Sequence, residues 1–155
     1  MTSPVATIDH QAHERILVYD EEPVILDVLG PVLRRAGYQV TTTHCDEEAI
    51  GLMASESFDL AVTDLGLHGP NGCRLVEVIR DTSPDTTVVA ITAYPSTEVV
   101  RFAEEHAQAF LEKPFALGEF LEVVRSALER RMTRQRIEAN LLVAGEAPQL
   151  ATGVA

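Results

Sequence analysis

FDLAVTDLGLHGPNG, residues 58–72, joins two halves that cannot share one conformation. Leu60, Ala61, Val62 and Thr63 are apolar or β-prone and lead directly into a carboxylate, Asp64. Beyond it, Gly66, Gly69, Pro70, Asn71 and Gly72 crowd together, a composition that regular structure does not tolerate. A short, nearly continuous apolar run reads as a strand buried on both faces, the kind found in parallel sheets. Asp64 therefore marks the place where a buried strand gives way to a loop. In open α/β sheets that edge is where ligands bind.

Upstream, Arg15 to Tyr19 reads as a first strand ending in Asp20-Glu21-Glu22-Pro23. Pro23 suits the first turn of a helix, and the acids before it complement the positive helix end. Val24, Ile25, Val28, Leu29, Val32 and Leu33 follow at helical spacing and predict one apolar stripe. Gly30-Pro31 predicts an interruption of that helix, because proline offers no amide, and Gly37 fits its stop. Tyr38 to Thr43 is a second, Thr-rich strand whose alternation predicts partial burial. Asp46 is placed to cap a short helix carrying Ala49, Ile50, Leu52 and Met53.

Downstream of the glycine-rich loop, Leu75, Val76 and Ile79 mark another helix. Thr86 to Ile91 is a fourth strand ending in Thr92-Ala93, and Pro95-Ser96-Thr97-Glu98 opens a helix through about Glu105. Ala109-Phe110-Leu111 is a short fifth strand ending in Glu112-Lys113-Pro114. A last helix begins near Leu117 and turns Phe120, Leu121, Val124, Ala127 and Leu128 inward. Strand and helix alternate five times, which predicts an α/β fold: a parallel sheet with helices on both faces, joined by right-handed crossovers.

The 155 residues suffice for one domain with a substantial core. The expected organisation is a flexible arm over residues 1–13, the folded domain over 14–130, and a helical extension with a disordered tail over 131–155. The tail is Ala- and Gly-rich from Val143 onward. A formal charge of −12 argues against direct nucleic-acid binding and against an anionic membrane surface. That charge is uneven, since five Arg against one Glu between Arg125 and Arg136 give +4 and leave −16 elsewhere. Cys45 and Cys73 lack metal-ligand spacing and read as reduced thiols. With no leader-like N-terminus and no apolar run approaching ~18 residues, a soluble cytoplasmic protein is expected.

The residues just past the apolar runs carry the chemistry. They are Asp20-Glu21, Asp64, Thr92 and Lys113. If the strands are parallel, three carboxylates, a hydroxyl and an ammonium converge on one sheet edge. An Asp after a strand is commonly a turn former and a Thr there is commonly propensity, but the same end of successive strands repeats the pattern. Clustered carboxylates repel unless a proton or a cation intervenes. A hard divalent cation suits oxygen ligands, and Mg²⁺ accepts one or two carboxylates while leaving room for phosphate oxygens. Such a site fits a phosphoryl group, with Asp64 as the nucleophile forming an acyl phosphate and with Lys113 sharing the transferred charge.

In these features the chain resembles a response-regulator receiver domain of two-component signalling. ILVYDEEP (residues 16–23) is similar to the family's first strand with its acidic pair, and DLAVTDLGLHGPNG (59–72) to its phosphoacceptor segment. VVAITA (88–93) supplies Thr92, and FLEKPF (110–115) supplies Lys113 before Pro114. The resemblance runs from about Arg15 to Glu129. It implies a flavodoxin-like, doubly wound five-stranded sheet of order 2-1-3-4-5 and a cis Lys113-Pro114 bond. It implies Mg²⁺ held by Glu21, Asp64 and the main-chain oxygen of Gly66, with Asp20 acting mainly through water. It also implies a phosphoryl donor that is a sensor histidine kinase or a histidine phosphotransfer protein. No turnover beyond self-phosphorylation and self-dephosphorylation is expected. Phosphoryl-Asp64 would pull on Thr92, Phe110 would follow, and the surface of the fourth helix, fifth strand and fifth helix would change to bind a partner or a second copy.

Several positions depart from the family pattern. Glu21 stands where Asp is usual, so the carboxylate lies one methylene further out. Phe110 stands at a switch position often filled by Tyr. His68 and His106 read as exposed loop residues. Gly66 and Tyr94 are positions expected to tune the lifetime of the phosphate, Tyr94 by hindering water. The arginine-rich end of the last helix reads as a solvated extension, a dimer contact or a linker. The competing class is an aspartate-nucleophile phosphohydrolase of haloacid-dehalogenase type, which needs a second carboxylate two residues after the nucleophile; Gly66 stands there instead. A flavin-binding module of similar fold would need a phosphate-cradling loop where Glu21-Glu22 stand.

Overall fold

The structure, a computed structural model, describes residues 13–66 and 71–146. In chain order its elements are β1 (Arg15–Tyr19), α1 (Pro23–Arg35), β2 (Gln39–Thr43), α2 (Asp46–Ser55) and β3 (Leu60–Asp64), then α3 (Asn71–Thr82), β4 (Thr87–Thr92), α4 (Thr97–His106), β5 (Ala109–Glu112) and α5 (Leu117–Glu146). The five strands form one sheet of order β2-β1-β3-β4-β5, and every neighbouring pair is parallel. The chain thus has the flavodoxin-like α/β fold expected of the sequence.

Strand periodicity divides the core into two layers. Ile16, Val18, Leu60, Val62, Val89, Ile91 and Leu111 point to one face, where they meet Leu26, Leu29 and Leu33 of α1 and Phe120, Val124, Ala127 and Leu128 of α5. Leu17, Tyr19, Ala61, Val88 and Ala90 point to the other, under α2, α3 and α4. β3 and β4 are buried along their whole length. β2, at the sheet edge, is only partly covered, as its Thr-rich alternation predicts.

Several local expectations are corrected. α1 runs unbroken through Pro31. Pro31 is exposed, as is Asp27, whose carbonyl would have accepted the missing amide, so water can satisfy it. Gly30 is buried because the helix passes close to β2, where a Cβ would lie 3.2 Å from Thr42 Cγ2. The inward face of α1 is Leu26, Leu29, Gly30 and Leu33, whereas Val24 and Val28 are exposed. Asp46 is the first residue of α2 rather than its cap, and Cys45 at the cap makes no side-chain bond. Asn71 and Gly72 belong to α3 rather than to the irregular loop. α5 reaches Glu146, so Val143 to Glu146 are helical rather than disordered. The rest of the predicted tail, the N-terminal arm up to residue 12, and the segment 67–70 with His68 lie outside the described residues. Cys45 and Cys73 are free thiols. Among the described residues no helix is long and apolar enough to cross a membrane.

Candidate functional site

Four of the five strands end in the same local device. Asp20 Oδ1 accepts the amide of Glu22 (2.9 Å), Thr43 Oγ1 that of Cys45 (3.2 Å), Asp64 Oδ1 that of Gly66 (3.1 Å) and Thr92 Oγ1 that of Tyr94 (3.1 Å). Each short side chain bonds the backbone two residues on and turns the chain out of the sheet. Asp20, Asp64 and Thr92 are therefore turn formers at their strand ends. Gly66 completes the third turn at φ +65°, a left-handed conformation that glycine adopts without strain.

Because β1, β3 and β4 are adjacent and parallel, these turns open on one edge. There Asp20 and Thr92 are fully buried and Asp64 nearly so. Lys113 enters from the end of β5, fixed where its amide donates to Thr92 O at 2.7 Å. Its ammonium lies 2.6 Å from Asp20 Oδ2 and 3.6 Å from Asp64 Oδ1. Among the described residues Asp20 Oδ2 has no hydrogen-bond donor other than that ammonium. Burial raises the Asp20 pKa to about 6, against the opposing pull of Lys113 and the Glu22 amide. The Lys113-Pro114 peptide is cis, as expected.

Glu21, Glu22, Asp64, Gly66, Ala93, Tyr94 and Lys113 line a cleft of about 170 Å³. Tyr94 stands at its rim, 52% exposed. Larger depressions lie along the outer part of α5 and at the opposite sheet edge, away from these side chains. Phe110 is half-buried in the layer under α4 with Val99 and Phe102. It pairs in register with Ala90, which puts it on the same sheet face as Thr92, two residues further along β4.

Two residues of the cleft escape sequence reasoning. Glu22 Oε1 lies 3.9 Å from the Lys113 ammonium, and Tyr19, 1% exposed, brings its hydroxyl 3.4 Å from Glu21 Oε1. The one signal for Tyr19 is its place as the last residue of the strand that precedes the acidic pair. His106, expected in an exposed loop, ends α4, where Arg80 of α3 lies 2.9 Å from its Nδ1 and Phe102 packs edge-on against its ring.

Among the described residues no three His, Cys, Asp or Glu side chains close around a point as a ready-made metal cage. The donors present are carboxylate oxygens, one of them buried and bonded to nothing but an ammonium. That set suits a hard cation that keeps part of its water, as Mg²⁺ does, and does not suit a soft one.

The sequence matches the response regulator receiver domain over residues 16–125. It is 36% identical over 121 residues to the response regulator protein PilR of Pseudomonas aeruginosa, covering 77% of this chain and 27% of that protein. The chain spans about a quarter to about half the length of the curated relatives it matches. A CheY-like receiver domain protein from Methanospirillum hungatei superposes with a TM-score of 0.74 at 28% identity, covering 78% of this chain and 98% of that one. The response regulator TrrA of Thermotoga maritima, solved in complex with Mg²⁺-BeF, superposes with a TM-score of 0.66 at 31% identity, covering 74% and 98%. With that match spanning most of the chain, and with the sheet order and strand-end residues already in place, the protein belongs to the response-regulator receiver domain family.

Proposed function

We propose that Asp64 accepts a phosphoryl group and that Asp20, Glu21, Gly66, Thr92 and Lys113 serve that transfer. The observation that carries this reading is the Lys113 ammonium held between two buried carboxylates at the ends of β1 and β3. Response regulators receive phosphate from histidine kinases, and a sensor kinase or a phosphotransfer protein is the donor proposed here. Asp64 attacks the phosphorus of a phosphohistidine. A carboxylate O–P bond forms, the P–N bond breaks and the imidazole leaves with the electron pair. Lys113 would face the charge on the equatorial oxygens, and the hydroxyl of Thr92, at the end of the neighbouring strand β4, would take one of them.

Mg²⁺, bound by Glu21, Asp64 and Gly66 with Asp20 acting mainly through water, would neutralise the crowded carboxylates and the incoming phosphate. The chemistry of the donors supports it, as does the Mg²⁺-BeF complex of the related TrrA. Phosphorylation would bias a two-state equilibrium in which Thr92 is drawn inward, Phe110 repacks under α4, and the α4–β5–α5 face takes a partner or a second copy. The shared sheet face of Thr92 and Phe110 supports that route.

Incubation with acetyl phosphate and Mg²⁺ followed by intact mass tests the reading. A gain of one phosphoryl group in the wild type and none in Asp64→Asn is expected. An Asp64→Asn protein that still takes up phosphate, or a wild type that never does, would sink it.

A further inference from the structure

Glu21 has one methylene more than an aspartate, and it is exposed. A free glutamate of that kind would sample many rotamers. Here its carboxylate is bounded on two sides. On one is the hydroxyl of Tyr19, 3.4 Å from Oε1. On the other is Gly66, where a Cβ would lie 3.7 Å from Oε1 and 3.9 Å from Cδ. Tyr19 ends β1 with its ring in the layer under α2 and α3, and the turn at Asp20 brings Glu21 back to its hydroxyl. At 3.4 Å the contact is longer than an ideal O–H···O bond; it engages one lone pair of Oε1 and leaves Oε2 and the remaining lone pairs to a cation.

We propose that Tyr19 is a positioning residue for the cation site, its hydroxyl holding the Glu21 carboxylate over the bare backbone of Gly66 so that the longer side chain serves the Asp64 cleft. The inference rests on the cation-binding reading above. It accounts for how the longer acid is directed: its guide is the hydroxyl of the last residue of β1, and its other neighbour is the backbone of Gly66. Partners of this kind act by fixing a ligand's direction before the metal arrives.

The test is Mg²⁺ affinity by calorimetry in the full chain for wild type, Tyr19→Phe, Glu21→Asp and the double variant. Tyr19→Phe keeps the ring in the core and is expected to weaken Mg²⁺ binding roughly three- to tenfold, the low end of outer-sphere effects. In the Glu21→Asp background, where the carboxylate is withdrawn from the hydroxyl, the same change is expected to alter affinity less than about twofold. Tyr19→Phe binding Mg²⁺ like the wild type, or losing the same factor in both backgrounds, would overturn the positioning role and leave the cation site standing. A wild type without Mg²⁺ affinity would overturn both.

Discussion

The Lys113 ammonium lies 2.6 Å from Asp20 Oδ2, with 10% and 0% of the two side chains exposed. Asp64 Oδ1 is 3.6 Å from the same ammonium, so one cation serves two carboxylates in a poorly solvated place. Removing one member of a buried ion pair leaves a charge without compensation. Lys113→Met is therefore expected to destabilise the metal-free protein at pH 8 by about 3–5 kcal/mol, and added Mg²⁺ is expected to recover part of it. Urea titrations with and without Mg²⁺ measure this; an unchanged midpoint would show that the ammonium does not hold the acids together.

Asp20 gives a pH dependence with a defined sign. Its folded pKa, about 6, lies above the ordinary 3.8 because burial penalises the charged form. The folded state therefore holds the proton more tightly, and the associated stability is complete below pH 3.8 and lost as pH rises through about 6. Relative to Asp20→Asn, the metal-free wild type should lose on the order of 3 kcal/mol between pH 4 and pH 7. Saturating Mg²⁺ should oppose the trend, because binding favours the ionised acid. A constant difference between the two proteins across this range would refute the shift.

The sheet and the site were legible for one reason: residue type and position agreed at every strand end. Asp20, Asp64 and Thr92 form turns at neighbouring strand ends, and Asp64 also lines the cleft, so residue type and chain position point to the same candidates. Thr43 shows the limit, since it forms the same turn at the edge strand β2 and takes no part in the cleft. α1 was misread because Val24-Ile25 and Val28-Leu29 offer two overlapping stripes, and only docking on the sheet selects the face of Leu26 and Leu29. Tyr19 looks like core because most of it is core. His106 has its partner 26 residues away, where no local pattern reaches.

That partner gives a third prediction. Arg80 always carries its charge and can only donate, so the Nδ1 it faces must present a lone pair. The bond ties the end of α3 to the end of α4, the helix proposed to repack on phosphorylation. A double-mutant cycle with Arg80→Ala and His106→Ala is expected to give a coupling of about 0.5–1 kcal/mol, modest because Arg80 is solvated. Additive effects of the two changes in urea unfolding would show that the helices are not fastened here.

Tyr94 sits two residues after Thr92 at the cleft rim and is 52% exposed. On the proposed reading it obstructs water approaching the acyl phosphate. Tyr94→Ala is expected to shorten the half-life of phosphoryl-Asp64 roughly three- to tenfold, about 1 kcal/mol in the hydrolysis barrier. Decay of the phosphorylated mass after removing the donor measures it, and an unchanged half-life would discard the role.

Arg131 separates the part of α5 that belongs to the domain from the part that extends beyond it. Its Nη1 lies 3.1 Å from Asp59 Oδ1, and its Nε donates to the Asp85 carbonyl at 2.7 Å. Asp59 is itself held by the Arg15 amide, 2.8 Å from Oδ2, so the arginine fastens α5 to the starts of β1, β3 and β4. Past this point Met132, Ile137, Leu141, Leu142 and Val143 are all more than half exposed. Arg131→Ala is therefore expected to destabilise the domain by about 1–3 kcal/mol, because Asp59 and the Asp85 carbonyl lose their partner. Deleting Met132 to Ala155 is expected to change stability by less than about 1 kcal/mol and to leave phosphorylation intact. A truncated chain that unfolds as readily as Arg131→Ala, or that takes up no phosphate, would move the domain boundary outward along α5.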